Sequence, residues 1–171
     1  AAAAELRRIA AAWPQAVVLD GDAATRAALQ RHAAAAGVLH LACHGEFRGD
    51  SPLFSALHLA DGALTAMDVE QLVLPAGAFV VLGACEAALA DDALDDEAIG
   101  LVRAFLVAGA SHVLGASWSI DDDATASWMG ALHRALAAGA TVPAAVHAVQ
   151  RAWIDDGAPA AQWAAFVLHG G

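Results

Sequence analysis

The stretch "AFVVLGAC" (78–85) decides the fold. Ala78 to Leu82 are apolar without interruption, with two β-branched valines at the centre, and the run ends on a glycine. A strand with one wet face alternates polar and apolar residues; this one does not, so both of its faces are expected to be covered. Strands of that kind belong to parallel sheets wrapped by helices.

Moving outward, "GVLHLAC" (37–43) and "HVLGASWSI" (112–120) read as two further strands, and "AVVLDG" (16–21) as a short one closed by a turn. Between them lie helical patterns. "DAATRAALQRHAAAA" (22–36) is expected as a helix with Asp22 as N-cap and Gly37 as stop, and "DDEAIGLVRAFLVAGA" (95–110) as a helix ended by Gly109. "DDATASWMGALHRALAAG" (122–139) and "TVPAAVHAVQRAWIDDG" (141–157) follow, the second capped by Thr141 with Pro143 in its tolerated first turn. "SALHLADGALT" (55–65) reads as a hairpin around Asp61-Gly62, and "TAMDVEQLVL" (65–74) as a short helix with Thr65 as cap and Asp68 in the first turn. "QWAAFVLHGG" (162–171) closes the chain as an extended segment. Strand and helix alternate, which predicts an α/β fold: a mostly parallel sheet with helices on both faces.

Composition sets the bounds. The 171 residues suit one domain, and 59% of them are hydrophobic, enough for a sizeable core. No apolar run reaches the roughly 18 uncharged residues of a membrane span, and no charged-then-apolar leader opens the chain. Net charge is −11, with 19 acids against 8 basic residues, all of them arginine. Such a surface repels phosphate backbones, so nucleic acid is excluded as a partner class. Two cysteines, Cys43 and Cys85, do not make a disulfide scaffold, and both are expected reduced, in a cytoplasmic protein. Residues 1–15 are expected to be the remnant of an upstream region, and 16–171 the domain proper.

Two strands end on residues able to do chemistry: one on Cys43-His44-Gly45, the other on Cys85-Glu86. In open α/β sheets, sites lie beyond the carboxyl ends of the strands. If the two strands are neighbours, His44 and Cys85 face each other, and the imidazole can take the thiol proton. Gly45, lacking a side chain, can bring its N–H close to a substrate carbonyl; with the N–H of Cys85 it would hold an oxyanion. The competing reading is a buried, inert cysteine and a loop histidine. A zinc set of His40, Cys43, His44 and Cys85 lacks the paired spacings such sites use, so no metal and no cofactor is expected. Cys43, adjacent to His44 on the strand, is expected to point to the opposite face and to serve packing.

"LHLACHGEF", "SALHLADGALTAMDVEQL", "VVLGACEAAL", "DEAIGLVRAFLVAGASHVLGASWSIDDDATASWM" and "QWAAFVLHG" occur in that order. Together they resemble a CHAT domain, the caspase-like module found beside TPR repeats in bacteria and related to separases, over about residues 16 to 171. The resemblance implies a caspase–hemoglobinase α/β fold and a cysteine endopeptidase dyad, mapping to His44 in "HG" and Cys85 in "GAC". It implies a protein substrate and a regulatory region, TPR or other, upstream. The sequence departs from the family at Gly83, where Ser is usual, and at Ala87, where Thr or Ser often follows the Cys-Glu pair. A catalytically silent interaction module of the same family is the alternative.

"SWSIDDDATASW" (117–128) places Asp121, Asp122 and Asp123 after a strand end and ahead of a helix. Helix capping accounts for at least one of them. The resemblance to separases, in which an Asp four residues after a Trp binds a P1 arginine, points to Asp122 as the substrate-binding acid, with Asp121 as its rival. A carboxylate facing an arginine fork would select strongly. "ALADDALDDEA" (88–98) reads as an acidic surface loop running into a helix cap. His32, His58, His112, His133, His147 and His169 are read as structural. Trp128, Met129, Leu132 and Leu136 recur at helical spacing and are assigned to the core, as are Trp153 and Trp163.

Overall fold

A computed structural model describes residues 2–46, 48, 51–83 and 97–171. The run at 78–85 forms β5 (Ala78–Gly83), and every residue of it is buried. Beside it lie β1 (Val38–Ala42) and β6 (Ala110–Ala116), both parallel to β5, and β7 (Phe166–Gly170) completes the sheet antiparallel to β6. The order is β1-β5-β6-β7. A second, antiparallel sheet holds β2 (Gly45–Glu46), β3 (Ala56–Leu59) and β4 (Gly62–Thr65), in that order.

Helices cover both faces of the main sheet, as a strand buried on both sides requires. Residues 2–10, alanine-rich and good helix formers, make α1 (Ala2–Ala10), which packs on α5 (Asp122–Ala137). On that same face lies α6 (Val142–Asp155), and Trp128 stacks on Phe166 with ring centroids 4.1 Å apart. Trp128, Met129, Leu132 and Leu136 are all buried here, and Trp153 and Trp163 pack against them. The opposite face is covered by α2 (Arg26–Ala33), α3 (Ala66–Val69) and α4 (Glu97–Val107), around Leu57, Leu101 and Phe105, each fully buried. Between α6 and β7, α7 (Ala160–Trp163) is one short turn.

Local sequence explains most boundaries. Thr65 and Asp68 form a reciprocal capping box at the start of α3. Gly109, at φ +112, reverses the chain between α4 and β6 in a conformation other residues resist. The hairpin turns at Ala60-Asp61, one residue ahead of the expected Asp61-Gly62, with Gly62 already paired to Leu59; the Asp61 carboxylate accepts the Arg26 N–H at 2.9 Å, satisfying an orphan donor at the start of α2.

Two expectations are corrected. Asp22 does not cap α2: it sits in a 3-10 turn (Gly21–Ala23), and Thr25 is the cap, its Oγ1 accepting from the Ala28 N–H at 3.2 Å. Nor is 16–21 a strand. Valines favour strands, but a strand needs a partner ladder, and residues 16–20 pair with no strand among the described residues. Val17 and Val18 stay 61% and 49% exposed. The segment forms one wall of an apolar cleft of about 740 Å³ whose other wall is β1.

Candidate active site

The pairing of β1 with β5 runs in register from Val38↔Phe79 to Ala42↔Gly83. The two strands that end on "HG" and "GAC" are therefore hydrogen-bonded neighbours pointing the same way. His44 lies two residues past Ala42 and is exposed. Cys85 lies two residues past Gly83 in the sequence; with Ala84, Glu86 and Ala87 it is outside the described residues, as is the acidic stretch 91–96. Glu97 opens α4.

Gly45 is buried in β2 opposite Leu57. The His58 N–H donates to the His44 carbonyl at 2.8 Å, which makes Gly45 and Leu57 a non-hydrogen-bonded pair and directs the Gly45 N–H away from β3. His44 is thus anchored by its backbone to the second sheet. Its ring lies against that of His58, centroids 5.5 Å apart and planes tilted by 32°, and Glu46 Oε2 stands 3.5 Å from His58 Nε2. His58 and Glu46 belong to this cluster: Glu46 follows His44 by two residues, and the register of β2 with β3 brings His58 beside both.

Cys43 faces the other way. It packs against the apolar cluster under α2, α3 and α4, and burial pushes its thiol up to about 11. A thiol held protonated at neutral pH is a poor nucleophile, in accord with its expected packing role. His40 is no metal ligand either: its Nε2 is 3.0 Å from Glu5 Oε1 and its Nδ1 3.1 Å from His133 Nε2, so both ring nitrogens are engaged. Among the described residues no group of three or more His, Cys, Asp or Glu side chains could hold a metal ion.

At the carboxyl end of β6, Trp118 Nε1 donates to the Ala161 carbonyl at 2.8 Å. Asp121 is the N-cap of α5: its Oδ1 accepts from the N–H groups of Asp123 and Ala124, each at 3.1 Å. Asp122 is exposed in the first turn of the helix. Because β1, β5 and β6 are parallel neighbours, His44, the chain leaving Gly83, and Asp121-Asp122 all follow carboxyl ends at one edge of the sheet.

A family model, the CHAT domain, matches residues 1–171, the whole chain. The chain belongs to the CHAT domain family. No curated protein is found to match it. The mixed α/β architecture with its mostly parallel sheet is the caspase-like fold expected of a CHAT domain. The match includes residues 1–15 as well as the segments that carried the resemblance. At position 83, where the resemblance leads one to expect Ser, a Cβ would stand 2.6 Å from His40 Nε2 and 2.8 Å from Glu5 Oε1. A serine cannot occupy that place while the two side chains hold theirs. No helix among the described residues is long and apolar enough to cross a membrane.

Proposed function

We propose that this CHAT domain is a cysteine endopeptidase with His44 as base and Cys85 as nucleophile. The observation that supports it is the in-register parallel pairing of β1 and β5, from whose adjacent ends the "HG" and "GAC" segments leave. His44 takes the proton from the Cys85 thiol, and the sulfur bonds to the scissile carbonyl carbon. The oxyanion is held by the N–H groups of Gly45 and Cys85; the outward direction of the Gly45 N–H supports the first of these. Collapse breaks the C–N bond, His44 returns the proton to the leaving amine, and water then cleaves the acyl-enzyme. Asp122 selects an arginine at P1. Asp121 is the weaker candidate, since capping already occupies its carboxylate. The substrate is another protein, and no metal or cofactor takes part. A TPR or other regulatory region precedes the domain, in a cytoplasmic protein.

The test is cleavage of a fluorogenic peptide library varied at P1. Arginine is expected at the cleaved position, with turnover abolished by Cys85→Ala and by His44→Ala. Asp122→Asn should lower kcat/KM for P1 arginine about tenfold or more, since it removes a charge-assisted pair. Cleavage that survives Cys85→Ala contradicts the reading.

A further inference from the structure

A chain of buried polar side chains runs behind the site. Trp13 Nε1 is 3.0 Å from His133 Nδ1, His133 Nε2 is 3.1 Å from His40 Nδ1, and His40 Nε2 is 3.0 Å from Glu5 Oε1. The side chains of His40 and Glu5 are only 6% and 4% exposed. One end fixes every proton in it. An indole nitrogen can only donate, so His133 Nδ1 is the bare acceptor and Nε2 carries the hydrogen. His133 then donates to His40 Nδ1, which leaves the hydrogen of His40 on Nε2, aimed at Glu5. Burial, with His40 beside it, pulls His133 down to about 3.

Such a chain is a poor device for stability alone, because well-packed apolar side chains of similar volume would do as well. Its position suggests another role. It joins α1, the turn after it, β1 and α5, and its Glu5–His40 end fills the volume a side chain at Gly83 would need. Gly83 pairs with Ala42 and is the last residue of β5 before "AC". Resting on the peptidase reading, we propose that Glu5 and His40 are positioning residues: their N–H···O pair seats the backbone at Gly83 and so sets the strand exit that leads to Cys85.

The test uses the intact domain with Glu5→Gln, Glu5→Ala and Gly83→Ala. The readouts are the Cys85 alkylation rate, kcat and KM on a cleaved peptide, thermal unfolding, and ¹⁵N spectra of the histidine rings. The wild type should show both His40 and His133 protonated on Nε2. Glu5→Gln keeps an oxygen acceptor and should hold that pattern, with a Cys85 rate within about twofold of wild type. Glu5→Ala and Gly83→Ala should each slow Cys85 and kcat by about tenfold or more, with KM little changed and unfolding still cooperative. Folded Glu5→Ala and Gly83→Ala proteins with wild-type rates overturn the proposal. Should both fail to fold, the remaining results decide it: a tenfold loss in Glu5→Gln, or a wild-type ring with its proton on Nδ1, overturns it, and their opposites uphold it. His44→Ala, run alongside, separates the two ideas. If Cys85 ignores His44, the peptidase reading falls, while the Glu5 and Gly83 variants still report on the seating of the strand.

Discussion

The two faces of the central sheet bury different things. Under α2, α3 and α4 the interior is aliphatic and aromatic, and burial there pushes the Cys43 thiol up to about 11. Under α1, α5 and α6 the apolar packing is interrupted by the chain from Trp13 to Glu5, which ends against Gly83. The alternation of β1 sorts its residues accordingly, with Leu41 and Cys43 to the first face and His40 to the second. The first face supplies cohesion. The second trades some of that for side chains of fixed direction next to the site.

The contrast can be broken from either side. Phe105→Ala empties a fully buried position of the apolar face. It should lower the unfolding free energy obtained from chemical denaturation by about 3–5 kcal/mol, the largest effect expected, with His40 and His133 keeping their ring tautomers. A loss under about 1 kcal/mol would mean that this face is loosely packed.

On the polar face the sensitivity is to acid. His133 binds a proton near 6.5 when unfolded and only near 3 when folded. Between those values the unfolded chain holds a proton the folded one lacks, so stability is complete above about 6.5 and declines as the pH falls toward 3. The slope approaches about 1.4 kcal/mol per pH unit for one proton. Denaturation midpoints measured from pH 7 to pH 4 should show it, and His133→Gln should flatten it. Cys43, at about 11, adds nothing in that range.

Much of this was legible in the sequence, and most of what was not depends on partners distant in the chain. β1, β5, the hairpin of β3 and β4 and the Thr65 capping box are local: period, turn residues and caps lie within a few positions. Segment 16–21 has the composition of a strand but no neighbour to pair with, and composition cannot report the absence of a partner. Asp22 looked like a cap because it precedes the helical pattern, yet Thr25 sits where the first free N–H groups are. The partners of the buried chain stand 35, 93 and 120 residues apart, so no window of sequence contains it. Gly83 stands out against the Ser the resemblance leads one to expect, and a carboxylate and an imidazole from two other elements crowd the place its Cβ would take. The pairing of His44 with His58 likewise follows from strand register alone.

The central claim is that His44 activates Cys85, while Cys43, next to His44 in sequence, takes no part. The most direct measurement is the alkylation rate of each cysteine against pH, followed by mass spectrometry of the intact and digested protein, in wild type and His44→Ala. The account predicts that Cys85 reacts well below the ordinary thiol pKa of about 8.5, that His44→Ala removes this advantage, and that Cys43 stays unmodified until the chain unfolds. A Cys85 that reacts no faster than an ordinary thiol, or at the same rate without His44, would contradict it.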